Sequence, residues 1–141
     1  MSHQINSLSN SQNEKLAADL QTGQAIVKHF CNFTGKMTAK KLDEAFKAWS
    51  SNPGNFTGEQ VANGLGTLLG ELIRQDFSFS WKMIDDELGS EPALLDDVSG
   101  SIVFPINSVW KRIDPEISSE PFFAPMYQAI KLHIEKEKGK N

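Results

Sequence analysis

The sequence predicts an α+β domain, with several helices packed on a small three-stranded antiparallel sheet. Three observations carry this expectation. Apolar residues recur at helical spacing through most of the first seventy residues. The period then changes to two at Phe77, Phe79, Trp81 and Met83, which alternate with Ser78, Ser80 and Lys82. Finally, the strand candidates follow one another through short turns, which favours an antiparallel meander over crossover connections.

Residues 1–10 are rich in Ser, Asn and Gln and are expected to be a flexible N-terminus. Ser11-Gln12-Asn13-Glu14 has the form of a capping box. Leu16, Leu20, Gly23, Val27 and Phe30 then mark one face of a first helix, with Gly35 as its stop. Thr38 caps a second helix, whose stripe is Leu42, Ala45, Phe46 and Trp49. Lys40, Lys41, Asp43, Glu44 and Lys47 are expected mostly to face solvent. Pro53-Gly54 bars its continuation.

Thr57 and Gln60 form a second capping box and open the longest apolar pattern, through Val61, Leu65, Leu68, Leu69, Leu72 and Ile73. Ala62, Gly66 and Gly70 lie four apart on a neighbouring face, with Gly64 close by. Each helical glycine costs about 1 kcal/mol relative to alanine, so the strip implies that something must approach closely. The strand from Phe77 follows, then a short strand at Ala93-Leu94-Leu95 and a third at Ser101-Ile102-Val103-Phe104, closed by Pro105. Ile106–Ile113 reads as a short helix, and Phe123, Met126, Ile130 and Ile134 as the inner face of a last one. The single domain is thus expected over 11–135, with 136–141 a flexible tail.

A chain of 141 residues with 39% hydrophobic and 23% charged content can bury a core of its own. The single cysteine, Cys31, excludes an intrachain disulfide framework. A net charge of −4 argues against a phosphate-binding surface, so no nucleic-acid partner is expected. No apolar run reaches the length of a membrane span, and the first residues lack the pattern of a secretory signal. These features lead to the expectation of a cytoplasmic protein without membrane contact.

Candidate chemistry is sparse. Gly64-Leu65-Gly66-Thr67-Leu68-Leu69-Gly70 approaches a dinucleotide fingerprint, but its last glycine is one place late and the run lies inside a capped helix. It has no free N–H groups there to offer a pyrophosphate. His3, His29 and His133 show no metal-ligand spacing, and His29 and Cys31, two apart, fall on different sides of a helix. No catalytic residue, metal or cofactor is expected. Trp49, Trp81 and Trp110 each belong to an apolar stripe and are read as core residues.

The carboxylates stand out. Asp76, Asp85, Asp86, Glu87, Glu91, Asp96 and Asp97 face only one base, Lys82, between positions 76 and 97. Divalent-cation binding is one reading, although no loop has EF-hand spacing. Acid–base chemistry is a second and requires a cleft. A surface that steers a basic partner is a third. A solvated face that discourages edge-to-edge strand pairing is the fourth.

Leu42-Asp43-Glu44-Ala45-Phe46-Lys47-Ala48-Trp49, Gly64-Leu65-Gly66 with Leu69-Gly70-Glu71, Trp81, and Val103-Phe104-Pro105 with Val109-Trp110-Lys111-Arg112-Ile113 together resemble a bacterial family known as domain of unknown function 3806. The resemblance covers residues 38 to 130 and rests mostly on packing residues. It implies a fold and no established catalytic residue. Small acidic bacterial domains of this kind resemble immunity proteins, which neutralise a cognate toxin by binding it. The function expected is therefore non-enzymatic binding of a cognate toxin or other basic protein, through Asp85, Asp86, Glu87, Asp96 and Asp97. The alternative is a small-molecule-binding or small enzymatic domain, with a pocket between the glycine-rich helix and the sheet.

Overall fold

The computed structural model describes residues 4–32, 35–113, 116–117 and 120–138. Elements follow in the order β1 (Gln4–Asn6), α1 (Asn10–Cys31), α2 (Ala39–Ser51), α3 (Gly58–Asp76), β2 (Phe79–Asp86), β3 (Gly89–Asp96), β4 (Ile102–Val103), α4 (Pro105–Ile113) and α5 (Phe123–Lys138). The class is α+β, as the change of period requires. The sheet has four antiparallel strands rather than three, in the order β1-β2-β3-β4. The added strand comes from the segment read as a flexible N-terminus: Gln4, Ile5 and Asn6 pair with Asp85, Ile84 and Met83. Three exposed residues carry no periodic signal, so this pairing is fixed by β2 and not by the segment itself.

Several helix starts are local events. Thr57 Oγ1 accepts from Gln60 N at 3.1 Å while Gln60 Oε1 accepts from Thr57 N at 2.9 Å, which is the expected box. Thr38 caps α2 through Lys41 N. The first helix opens two residues earlier than Ser11: Ser9 is the N-cap, and its partner is Gln12. Glutamine closes the box as well as glutamate does. The helix also stops before Gly35, because Asn32 takes a left-handed conformation, φ 49°, and donates its N–H to Lys28 O. Residues 33–34, parts of the 114–119 loop, His3 and the end of the C-terminal tail (139–141) lie outside the described residues.

Helix α3 is the hub and touches α1, α2, α4, α5 and β2. Its Val61, Leu65, Leu69 and Ile73 are fully buried with Ile26 and Val27 of α1 and Leu42 and Ala45 of α2. Its glycines explain how so many elements fit around it. A Cβ on Gly64 would lie 2.8 Å from Gly23 N, so α1 and α3 cross backbone to backbone. A Cβ on Gly66 would meet Ile106 Cα at 2.6 Å, and one on Gly70 would meet the Trp81 ring at 2.3 Å. The small-residue strip therefore admits a helix backbone and an indole ring.

The β2–β3 ladder runs from Phe79 opposite Asp96 to Asp86 opposite Gly89. Strand β3 is longer than the Ala93-Leu94-Leu95 core expected, since it continues through Pro92. Proline is tolerated there because β4 pairs only Leu94 and Leu95, leaving Pro92 a neighbour on one side alone.

One residue read as solvent-facing has a structural task. The Asp43 carboxylate accepts from three backbone N–H groups, Phe122 at 2.6 Å and Phe123 and Ala124 at 2.8 Å. It caps α5 from another helix, a contact spanning about eighty residues of chain that no local pattern announces.

Two substitutions test this packing. Gly66→Ala gains about 1 kcal/mol of helix propensity but forces α4 outward, and the net loss expected in urea unfolding is about 1–3 kcal/mol. An unchanged or higher midpoint would mean that α4 is not held against this face. Asp43→Ala removes the α5 cap and is expected to cost about 2 kcal/mol, with α5 amides losing hydrogen-exchange protection before the other helices.

Candidate functional site

The β2–β3 turn is built from the acidic stretch. Strand β2 ends in Asp85-Asp86, the loop is Glu87-Leu88, and β3 starts at Gly89, whose φ of +133° suits glycine. Asp86 Oδ1 accepts from Leu88 N at 2.8 Å and tightens the loop. Asp85 accepts from the Asn6 side chain of β1 and from the Ser90 hydroxyl of β3, which ties three strands together at the base of the tip. Asp86 and Glu87 are exposed, and Leu88 is 93% exposed.

Charge at the tip is only partly balanced. Burial pushes the Glu91 carboxyl above its ordinary value, the neighbouring Asp86 carboxylate adds to the shift, and Lys111 opposes it. The tip thus holds like charges close together on a framework set by strand pairing.

Asp96 and Asp97 are elsewhere. The sequence reading gathers all five carboxylates into one contact surface, but the ladder separates them. Asp85 opposes Ser90, and Asp96 lies six residues further along β3, or about 20 Å away. Asp96 is only 2% exposed. It accepts from Val98 N at 3.0 Å and Ser99 Oγ at 2.6 Å and so shapes the β3–β4 turn. Burial raises its pKa, yet those hydrogen bonds, with His133 nearby, outweigh burial and hold it below 3.8. Asp97 accepts from Ser80 Oγ at 3.0 Å. The structure therefore joins Asp85, Asp86 and Glu87, and sets Asp96 and Asp97 at the opposite end of the sheet.

Sequence reasoning missed Leu88. Its signal was present, because a leucine between Glu87 and Gly89 occupies a turn position where polar residues and glycine are the norm. The second turn repeats the arrangement, with Val98 82% exposed after Asp96-Asp97.

The space beside α3 is partly filled and partly open. Trp81, read from the sequence as a core residue, has its ring against Gly70 and donates its Nε1–H to Glu71 Oε2 at 2.9 Å. Arg74 binds the same carboxylate through Nε at 2.8 Å. Burial raises the Glu71 pKa, but the hydrogen bonds from Arg74 and Trp81 prevail and keep it below its ordinary 4.5. Nearer the tip, a groove of about 280 Å³ runs between helices and sheet, lined by Leu16, Asn63, Met83, Pro92 and Ile106 among others. At the far end, a recess of about 480 Å³ includes Asp76, Asp96 and Glu137. Tyr127 donates its hydroxyl to Asp76, and burial together with that carboxylate pushes its pKa to about 12, so it stays protonated at neutral pH. Cys31 is half-buried, and burial pushes its thiol up, which suits a packing role. Among the described residues, no group of three His, Cys, Asp or Glu side chains is placed to hold a metal ion. No helix among them is long and apolar enough to cross a membrane.

The family model described as domain of unknown function (DUF3806) matches residues 39–122, well over half of the chain. The chain belongs to this family. The DUF3806 match begins with α2 and ends just before α5, so β1, α1 and the body of α5 lie outside it. No curated protein matches the sequence. A crystal structure from Bacteroides thetaiotaomicron VPI-5482, determined at 1.50 Å resolution, has the same fold, with a TM-score of 0.74 at 13% identity. The similarity covers 94% of this chain and 48% of that one, so the chain spans about half the length of its structural relative. At such identity the likeness is one of fold alone.

The Glu71 contacts generate a pH prediction. A depressed folded pKa stabilises the protein above 4.5, and that contribution is lost as pH falls through the folded value. The stability difference between the native protein and Glu71→Gln should therefore be greatest above 4.5 and shrink on acidification below it. A difference independent of pH in urea titrations would show that the carboxylate charge plays no part in holding Trp81.

Proposed function

We propose that this DUF3806 chain is a non-enzymatic binding protein that takes a basic protein partner at the β2–β3 tip. Its most specific form is an immunity protein that neutralises a cognate bacterial toxin in the cytoplasm. The observation that carries the reading is Leu88, almost wholly exposed and framed by Asp85, Asp86 and Glu87. An apolar anchor with charged neighbours has the composition of an interface centre and its rim. The surrounding carboxylates would speed encounter with a basic surface and disfavour acidic competitors. Nuclease toxins offer such a basic surface in their substrate clefts, which is the ground for the immunity form of the proposal.

A second reading keeps the groove between α3 and the sheet as a small-molecule site. It is supported by the mostly apolar lining from Leu16, Met83, Pro92 and Ile106 with the Asn63 amide among them. At about 280 Å³ the groove lies just below the usual range for ligand pockets, roughly 300–1,000 Å³. A fragment that raised the melting temperature and lost its effect in Asn63→Leu would favour this alternative.

Co-expression with the product of the neighbouring gene tests the leading reading. A complex is expected on size exclusion, weakened at high salt and weakened at least tenfold by Asp86→Lys with Glu87→Lys. A complex indifferent to both changes, or no complex at all, would sink the proposal.

A further inference from the structure

We infer that the recess at Thr67, between α1, α3 and β2, binds a small uncharged molecule with an apolar body and a hydrogen-bonding oxygen. The inference rests on neither reading above. It needs no protein partner, and this recess shares only Leu16 with the groove lined by Asn63, Met83 and Pro92. Its volume is about 280 Å³, and its walls include Leu16 and Leu20 of α1, Thr67, Glu71 and Arg74 of α3, and Trp81 of β2. Leu16 and Leu20 are only partly buried, so the α1 side of the recess reaches the surface.

Thr67 carries the inference. It is 1% exposed, and its Oγ1 is buried with no hydrogen-bond partner among the described residues. A helical threonine has a ready partner in the carbonyl four residues back, which Thr22 uses by donating to Ala18 O at 3.2 Å. Thr67 does not make the equivalent bond. Thr67, Glu71 and Arg74 recur at spacings of four and three along one face of α3. That face is a wall of the recess, so the short threonine side chain is directed into it. An unpaired buried hydroxyl costs free energy that valine, of the same shape, would not. A ligand oxygen that pairs with the hydroxyl recovers that cost.

The rest of the lining sets the ligand's chemistry. Glu71 and Arg74 meet through two hydrogen bonds, Nε to Oε2 at 2.8 Å and Nη2 to Oε1 at 3.2 Å. Equal and opposite charges side by side leave this wall without net charge, so an ionised ligand would lose hydration and gain no counter-charge. Leu16, Leu20 and the Trp81 ring supply apolar contact, and the indole favours an aromatic body. Trp81 is itself held in place by its bond to Glu71. The volume falls just below the usual range of roughly 300–1,000 Å³ for ligand pockets, which keeps the molecule small.

Phenol and benzene, matched but for one hydroxyl, test this by nuclear magnetic resonance on the full chain. Phenol should shift the Trp81 indole N–H saturably and leave that of Trp49, which is bound to Phe56 O, in place. It should bind about tenfold more tightly than benzene. Thr67→Val should bring phenol down to the affinity of benzene without lowering the melting temperature, and Thr67→Ser, which keeps the hydroxyl, should retain the preference. The absence of a saturable Trp81 shift would leave only an ordered water as the partner of Thr67 and overturn the inference. An equal preference for phenol in Thr67→Val, or a lower melting temperature for that variant, would overturn it too. Thr67 lies outside the β2–β3 tip and the Asn63 groove, so these results stand apart from the tests of both earlier readings.

Discussion

Close approach to the α3 backbone is the constraint on which the rest of the structure depends. At Gly64 the neighbour is the backbone of α1, at Gly66 that of α4, and at Gly70 the Trp81 ring of β2. A methyl group at any of these positions would press on atoms that cannot swing aside like the end of a flexible side chain. Three elements are therefore set around one helix at distances no larger residue allows, while Val61, Leu65, Leu69 and Ile73 remain for the apolar interior. The helix-propensity cost of three glycines is offset by the dispersion and burial these approaches permit.

Strand β2 transmits that placement to the tip. Trp81 seats the strand against Gly70 and, through Glu71, against the side of α3. The ladder then fixes where Asp85 and Asp86 emerge, and Asn6 and Ser90 hold the first of them from both sides. Leu88 is consequently presented at the end of a paired ladder. A side chain so presented loses less freedom on binding than one on a mobile loop, which is why an exposed apolar residue is informative here.

How much of this was legible in the sequence depends on the range of each interaction. Thr38 and Thr57 announce their helices because a cap is satisfied within three residues. The same locality made Ser11-Gln12-Asn13-Glu14 persuasive, although Ser9 with Gln12 meets the same requirement two residues earlier. Gly23 and the α3 glycines could be read as demanding a close neighbour, but not which one. Strand β1 and the Asp43 cap were not legible, since Gln4–Asn6 and Asp43 acquire their roles only from partners about eighty residues away. The acidic residues were visible as a run, yet a run measures distance along the chain. The ladder converts it into two clusters at opposite ends of the sheet, and burial takes Asp96 out of the surface altogether.

The electrostatics of the tip bear on the proposed role. A turn that served only to reverse the chain would gain from neutral or mixed charge, because like charges held close on paired strands repel. Here Asp86 and Glu91 are close enough, and Glu91 sufficiently buried, for its carboxyl to be held above its ordinary value with only Lys111 in opposition. Burial is the larger cause of that rise and the Asp86 carboxylate the smaller; on the proposed role, a cationic surface at the tip would offset the smaller one. On that proposal, the offset would favour basic surfaces over neutral ones of equal shape. Exposure of Leu88 beside this charge supplies the apolar contact that electrostatic attraction in water cannot, since exposed ion pairs contribute little by themselves.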